Sequence, residues 1–301
     1  MENAEWHGVM PALMTEMHSD GSLDLEATAV HAEKCISAGV EGIIALGTLG
    51  ENCSLTPKEK SQVGRAIVEA VDGRVPVICG VAEYTCDFAI ERVRMAEKIG
   101  MDGLMTLPGM VYKQDSREAI THFGNIAEST DLPIMVYNNH VGYKVDLLPR
   151  DFLELAKYDN IVAVKESSHD SRRLTDMINE CGNRFMLFSG VDDLALENVL
   201  FGAIGWVSGI TNSFPHETVR LFNLAKSGKV DEAVALYRWL MPMLHLDTEV
   251  KLVQYIKLVS QIAGMGSEWV RQPRLPLEGT ERARIEEIVQ DALDCRPALA
   301  A

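Results

Sequence analysis

The stretch IVAVKESS occupies residues 161–168 and decides how the rest of the chain is interpreted. Four apolar residues run directly into Lys165, as in a strand that is buried on both faces. An ammonium group is costly to bury unless it is paired, but removal from water also favours the neutral, nucleophilic amine. Lys165 therefore has two interpretations, a salt-bridged residue at a strand end or a catalytic amine.

Seven further apolar runs of this kind recur along the chain. Each is nearly continuous rather than alternating, which is typical of parallel strands covered on both faces. Together with residues 160–167 they make eight β units. The other seven are GVMPALMT (8–15), GIIALGT (42–48), VPVICGV (75–81), DGLMTLP (102–108), LPIMVYNN (132–139), FMLFSGV (185–191) and IGWVSGI (204–210).

Amphipathic segments separate these runs and carry helix-boundary signals. Segment 56–71 opens with Thr56-Pro57, and segments 24–39 and 85–100 each end on a glycine, which suits a helix C-terminus. Eight β units alternating with helices predict an α/β fold, a TIM (β/α)8 barrel. A Rossmann fold is the weaker alternative, because no G-x-G-x-x-G follows an early strand and eight repeats are too many for one half-sheet.

The strand pattern stops after about residue 215, and the segments that follow are helical. We therefore predict a barrel with the active site at residues 1–225 and a C-terminal helical extension at 226–301. No low-complexity linker separates the two parts, so we expect them to pack closely together.

The composition excludes several classes of partner. The 301 residues include 28 basic and 44 acidic side chains, a net charge of −16, which argues against nucleic acid and anionic membranes. The apolar runs are too short to span a bilayer, and the N-terminus lacks a signal-peptide pattern, so we expect a cytoplasmic protein. Six cysteines without a CxxC pair are interpreted as reduced, buried thiols. The eight histidines show no metal-ligand spacing, so no metal site is predicted.

Chemistry in a TIM barrel sits at the C-terminal ends of the strands. The second, fifth and sixth strands end in GTLGE (47–51), YNN (137–139) and KES (165–167). This brings a hydroxyl, a phenol and an amine to one face, a set that suits Schiff-base chemistry on a carbonyl. Alone, each has a structural interpretation, as a turn residue, a rim aromatic or a strand cap; the combination favours catalysis.

This combination resembles the dihydrodipicolinate synthase/N-acetylneuraminate lyase family of class I aldolases. The family signature G-[ST]-x-G-E appears as GTLGE at 47–51, its catalytic tyrosine matches Tyr137, and its Schiff-base lysine matches Lys165. The resemblance covers essentially the whole chain. It implies a TIM barrel, usually a homotetramer, that acts on small 2-oxo acids with no metal and no organic cofactor.

The resemblance also implies roles for individual residues. Lys165 would form an imine with the substrate, Tyr137 would move protons, and Thr48 would hold the tyrosine in a hydroxyl relay. Backbone N–H groups around Thr48 and Leu49 would bind the substrate carboxylate. The substrate-binding residues that we predict are Leu49, Asn139, Ser167, Gly190 and Val207.

Three departures bear on the substrate. Leu49 stands where dihydrodipicolinate synthases usually have a second hydroxyl residue, and Gly142 stands where they carry an arginine for the carboxylate of the aldehyde substrate. Tyr112 in LPGMVYK is one or two positions out of register with the family's relay tyrosine, which that family takes from a neighbouring subunit. These departures argue against a role in lysine biosynthesis.

The sequence is more similar to the 1-pyrroline-4-hydroxy-2-carboxylate deaminases of bacterial hydroxyproline breakdown. That branch often carries YNNP, and here His140 replaces the proline. Its substrate has one carboxylate, which agrees with Gly142. We therefore expect conversion of this cyclic imine to 2,5-dioxopentanoate and ammonia. The alternatives are dihydrodipicolinate synthase, a 2-keto-3-deoxy sugar acid aldolase or dehydratase, and a ligand-binding barrel without turnover.

Overall fold

The computed structural model describes residues 5–109 and 111–298. Its eight strands are parallel and lie in the order β1-β8-β7-β6-β5-β4-β3-β2. A parallel bridge from Ala12 to Ile44 joins the two ends of the sheet, so the predicted TIM barrel is confirmed. The strands are β1 Gly8–Pro11, β2 Ile43–Ala45, β3 Val77–Val81, β4 Gly103–Thr106, β5 Ile134–Asn138, β6 Ile161–Glu166, β7 Met186–Ser189 and β8 Gly205–Ser208.

Helices alternate with the strands and then continue beyond them. The helices that accompany the barrel are α1 Leu25–Ser37, α2 Pro57–Val71, α3 Cys86–Ile99, α4 Ser116–Ala127, α5 His140–Tyr143, α6 Phe152–Leu155, α7 Arg172–Cys181, α8 Ala195–Leu200 and α9 Pro215–Lys226. Those that follow are α10 Val230–Leu244, α11 Leu252–Ile262 and α12 Gly279–Asp294. The predicted boundary between residues 225 and 226 falls in the last turn of α9 and stays a prediction.

The sequence signals at the helix ends act as expected. Thr56 caps α2, and its side chain and that of Glu59 form a reciprocal capping box. Thr85 caps α3, which ends at Gly100 with φ of +79°. A left-handed residue there closes the last turn without the steric cost that a side chain would add.

Apolar side chains fill both the inside of the barrel and the space between the strands and helices. The inner cluster includes Met10, Ile44, Ile78, Met135 and Phe188, all fully buried. This packing closes the centre of the barrel, so that a ligand has access only at an end of the strands.

The C-terminal extension is fixed to the barrel by a buried ion pair. Lys257 of α11 donates to Glu51, with 2.8 Å between Nζ and Oε1, and neither side chain is exposed. Glu51 is the last residue of GTLGE, so the extension directly supports the signature loop.

The cysteine prediction is only partly right. All six cysteines are free, but only Cys35 and Cys79 are buried, whereas Cys53 and Cys295 are exposed. Cys53 lies in the 3₁₀ turn Asn52–Ser54, directly after the signature loop, and its side chain reaches solvent. Within residues 5–109 and 111–298, no helix is both long enough and apolar enough to cross a membrane.

Candidate active site

Lys165 and Tyr137 are direct neighbours across two adjacent strands. They are register partners in the pairing of β5 with β6, so their side chains leave the sheet on the same face. The Lys165 Nζ lies 4.0 Å from the centre of the Tyr137 ring. Both residues are buried, at 5% and 7% exposure. An amine and a phenol are therefore held together away from bulk water.

A network of hydroxyl groups continues from Tyr137. The Tyr143 ring meets the Tyr137 ring edge to face, with 5.5 Å between centroids, and the Tyr143 hydroxyl shares a hydrogen bond with Thr48 Oγ1. Asn139 donates from Nδ2 to the Tyr137 hydroxyl over 3.1 Å. Burial raises the pKa of Tyr143 well above its usual value, and the adjacent Tyr137 raises it further. Tyr143 is therefore a neutral phenol between Thr48 and Tyr137.

The signature loop presents unused backbone donors. Within residues 5–109 and 111–298, no hydrogen bond uses the N–H of Thr48 or of Leu49 as donor. Two residues at the ends of this loop have a left-handed backbone: Leu46 (φ 59°), just before it, and Glu51 (φ 54°), its last residue. The glycines Gly47 and Gly50 do not. A non-glycine residue in this region is strained and persists where the surroundings hold it; Glu51 is held by Lys257.

One cavity of about 440 Å³ at the C-terminal ends of the strands is lined by Lys165, Tyr137, Tyr143, Thr48 and Leu49. All eight residues that we predicted for the site from the sequence line this cavity. They are Thr48, Leu49, Tyr137, Asn139, Lys165, Ser167, Gly190 and Val207. The volume suits a small organic acid.

Ser167 carries an unsatisfied hydroxyl beside the lysine. Its Oγ is buried and has no hydrogen-bond partner among the described residues, and the residue is 3% exposed. A Cβ placed on Gly190 would lie 2.0 Å from this oxygen and 2.7 Å from Lys165 Cγ. Only glycine therefore fits at position 190. The absence of a side chain there leaves room for the Lys165 side chain to reach the cavity.

Asp192, after β7, is a buried carboxyl group with a full set of donors. It accepts from Trp206 Nε1 at 2.9 Å, from Ser208 Oγ at 3.2 Å, and from the N–H groups of Gly209 and Ile210 at 3.1 and 2.8 Å. Burial raises the pKa of Asp192 to about 6, although these hydrogen bonds oppose the rise. Through these bonds Asp192 connects the end of β7 to the end of β8.

Asp247 is a second carboxyl group, which the sequence analysis did not identify. It lies in the 3₁₀ turn His245–Thr248 of the extension and lines the same cavity as Lys165. Burial raises its pKa well above the usual value, and Asp192 raises it further, whereas Lys165 opposes the rise. Asp247 therefore keeps its proton to a higher pH than an ordinary carboxyl group does.

Three residues that follow β4, β5 and β6 also have defined positions. His169 lines the cavity, whereas His140 lies 3.8 Å from Asp146, outside the lining. Tyr112 is 57% exposed, and its hydroxyl donates to Glu118 over 2.6 Å. Within this chain the phenol next to Tyr137 is Tyr143, which the sequence analysis missed. The available signal was Asn139, which caps the short helix α5 and turns the chain back towards β5.

The arrangement defines a class of protein: a TIM barrel whose buried strand-end lysine, phenol and hydroxyls suit Schiff-base chemistry, as in class I aldolases. A family model for the dihydrodipicolinate synthetase family matches residues 5–292. The chain belongs to this family and is an enzyme of the class I aldolase type. No group of three or more His, Cys, Asp or Glu side chains within the described ranges could hold a metal ion.

Individual relatives agree with this assignment. The 4-hydroxy-tetrahydrodipicolinate synthase of Saccharophagus degradans is 33% identical, over 95% of this chain and 98% of the relative. A dihydrodipicolinate synthase structure from Bacillus anthracis superposes with a TM-score of 0.91 at 29% identity, covering 95% of this chain and 98% of that one. A prophage protein of the same family from E. coli K12, solved in complex with pyruvate, gives a TM-score of 0.90 at 27% identity, with coverages of 97% and 100%.

Proposed function

We propose that this enzyme converts 1-pyrroline-4-hydroxy-2-carboxylate to 2,5-dioxopentanoate and ammonia through an imine on Lys165. The observation that carries this choice is the absence of an arginine from the cavity lining within the described residues; its lysines are Lys165 and Lys144. Such a cavity lacks the planar guanidinium that would bind a second carboxylate through two parallel hydrogen bonds, so it suits a substrate with one carboxylate.

The near end of the cavity supplies the imine chemistry. Lys165 attacks carbon 2 of the ring imine, and the ring nitrogen leaves as an amine, so the substrate stays attached to Lys165 as an open chain. The free N–H groups of Thr48 and Leu49 accept the carboxylate, since unpaired backbone donors bind anions well. Tyr137 removes a proton from carbon 3, with its hydroxyl positioned by Asn139. We propose that no metal and no organic cofactor is required.

The far end of the cavity contains little that could bind another carboxylate. Gly142 has no side chain, and Lys144 donates its ammonium group to the Val141 carbonyl oxygen over 2.8 Å at the surface. A lysine also lacks the planar fork with which arginine binds a carboxylate. The hydroxyl of Ser167 instead offers a hydrogen bond to a neutral substrate group.

The second candidate is 4-hydroxy-tetrahydrodipicolinate synthase, which joins pyruvate to an aldehyde. The specific observation in its favour is the name carried by the relatives that match at 30% to 33% identity. Against it stand Gly142 and the absence of an arginine from the described cavity lining. A sugar acid aldolase or dehydratase would use the same lysine and phenol. We also propose, from the family resemblance, that the enzyme is a homo-oligomer, namely a tetramer.

The deciding experiment compares substrates on the purified enzyme. The protein is incubated with 1-pyrroline-4-hydroxy-2-carboxylate while ammonia is measured, and separately with pyruvate and aspartate semialdehyde while condensation is measured. Each mixture is then reduced with borohydride and the adduct is mapped by mass spectrometry. Ammonia release with an adduct on Lys165 supports the deaminase, and condensation without ammonia release supports the synthase. Folded protein that forms no adduct with any oxo acid would be a ligand-binding barrel.

A further inference from the structure

We propose that Asp247 is the acid that gives its proton to the substrate hydroxyl as that group leaves carbon 4. The inference rests on the proposed function, because it assigns a role within that reaction. The group recognised is a neutral alcohol on the carbon chain beyond the imine. No residue of the family signature supplies such an acid, since Lys165, Tyr137 and Thr48 all act at the imine end.

Asp247 places a carboxyl group of the C-terminal extension at the open end of the barrel. The residue belongs to the extension, yet it lines the cavity that contains Lys165. Its Oδ1 lies so close to Gly209 that a Cβ added there would be 2.1 Å away. Glycine at 209 is therefore required for the carboxyl group to reach the end of β8.

The two carboxyl groups at Gly209 are in opposite environments. Asp192 accepts four hydrogen bonds, which stabilise its ionised form. By contrast, the side chain of Asp247 accepts no hydrogen bond from any group within residues 5–109 and 111–298. Hydrogen bonds to the ionised form lower the pKa of a carboxyl group, so Asp247, which has none from the described protein groups, holds its proton more tightly than Asp192 does. Two acids whose environments separate their pKa values in this way are typical of an acid–base pair. The other charged groups that act on Asp247 are Lys165 and Asp193.

An independent observation indicates a polar ligand in the same cavity. Ser167 Oγ is a buried hydroxyl that has no protein partner among the described residues, and it faces this cavity. A buried polar atom without a partner costs about 1–3 kcal/mol, so such atoms usually have a ligand or water. A substrate alcohol would satisfy Ser167 while it receives the proton of Asp247.

The proposed step balances. A proton leaves carbon 3 through Tyr137, which gives the enamine between carbons 2 and 3. This electron pair then forms the double bond between carbons 3 and 4, the bond from carbon 4 to oxygen breaks, and the oxygen takes the Asp247 proton and departs as water. The Asp247 carboxylate recovers a proton from carbon 5 while Tyr137 returns one to carbon 3. A proton shift from nitrogen to carbon 4 gives the second imine. One water then releases ammonia, and another releases Lys165.

The test uses Asp247→Asn, which keeps the shape of the side chain but has no acidic proton. The matched control is Asp193→Asn, because Asp193 contacts the same turn through His245, at 2.9 Å, and is not among the cavity-lining residues. Two reactions are followed. They are ammonia release from 1-pyrroline-4-hydroxy-2-carboxylate, and deuterium exchange at carbon 3 of 1-pyrroline-2-carboxylate, which has no hydroxyl to expel.

We expect Asp247→Asn to slow ammonia release by about 10²- to 10⁴-fold, the usual effect of losing a general acid. Carbon 3 exchange and borohydride trapping on Lys165 stay at the wild-type level, and Asp193→Asn resembles the wild type in both reactions. An equal loss of exchange and ammonia release in Asp247→Asn would show a merely structural role and overturn the proposal.

The same data separate this inference from the proposed function. If the wild type traps the ring on Lys165 but releases no ammonia, the proposed function is wrong, and the role of Asp247 is wrong with it. If the wild type releases ammonia and Asp247→Asn releases it equally fast, only the assignment of Asp247 is wrong.

Discussion

The Lys165 ammonium nitrogen lies 4.0 Å above the centre of the Tyr137 ring, and the two residues are paired in register on neighbouring strands. We therefore predict that Lys165→Met abolishes the borohydride-trapped adduct with pyruvate, as mapped by mass spectrometry. Lys157 is the matched control, because its nitrogen lies 5.1 Å from the Tyr158 ring on the exposed surface. Lys157→Met should trap normally; an adduct that survives Lys165→Met would locate the nucleophile elsewhere.

A second prediction concerns the hydroxyl network. Tyr143→Phe removes the hydroxyl that bonds Thr48 but keeps the ring against Tyr137. We expect turnover to fall about 10²-fold, the lower end for a proton-transfer group, while trapping on Lys165 persists. The measurement is steady-state ammonia release beside borohydride trapping.

The control for this experiment is Tyr112→Phe. Tyr112 bonds Glu118 at the surface of this chain, so the change should leave turnover intact. The opposite result, a loss with Tyr112→Phe and none with Tyr143→Phe, would place the relay tyrosine between subunits.

A third prediction concerns the buried ion pair between barrel and extension. Lys257→Met removes the buried cation of Glu51. The carboxylate keeps the N–H of Arg271 at 3.1 Å and the partly exposed guanidinium of Arg274 at 3.6 Å. Removal of one partner from a buried ion pair costs about 3–5 kcal/mol in the free energy of unfolding, and we expect the lower end of that range. The double variant Lys257→Met/Glu51→Gln should recover much of this loss. Urea denaturation measures all three proteins. Lys251→Met breaks the exposed pair of Lys251 with Glu281 and should change stability far less; equal losses would refute the argument.

A fourth prediction is a pH dependence of stability. His31 is fully buried, with Nδ1 2.8 Å from Glu16 Oε1 and Nε2 2.9 Å from the Asn212 carbonyl oxygen. Burial alone would lower the pKa of His31, but hydrogen bonds with Cys35 and Glu16 overcome it and raise the pKa to about 10. The Glu16 carboxyl is also buried, which alone would raise its pKa, but His31 holds that pKa below the usual value.

The sign follows from linkage between proton binding and folding. His31 binds its proton more tightly in the folded protein, so its stabilisation is complete below about pH 6.5, the ordinary pKa of histidine, and is lost as pH rises towards about 10. The contribution of Glu16 is present above its ordinary pKa of 4.5 and is lost as pH falls through the lower folded value. Urea titrations of wild type and His31→Gln should therefore differ most between pH 4.5 and 6.5. A difference that grows from pH 7 to 10 would contradict this, and His7→Gln, at the surface, is the control.

The sequence by itself determined the barrel and the placement of its chemistry. Continuous apolar runs require strands covered on both faces, and parallel strands in a barrel bring their C-terminal ends to one edge. Lys165, Tyr137 and Thr48 each follow or end such a run, so their convergence follows from local pattern and chain order.

Only the tertiary structure decided which other groups join them. Tyr143 reaches Thr48 because a four-residue helix turns the chain back after β5. Asp247 enters the mouth because the extension packs across the barrel and Gly209 leaves room for the carboxyl group. The backbone strain lies at Leu46 and Glu51, although the sequence directs attention to the glycines between them. Periodicity records which face of an element is buried, but contacts between distant segments depend on how closely side chains pack when those elements meet.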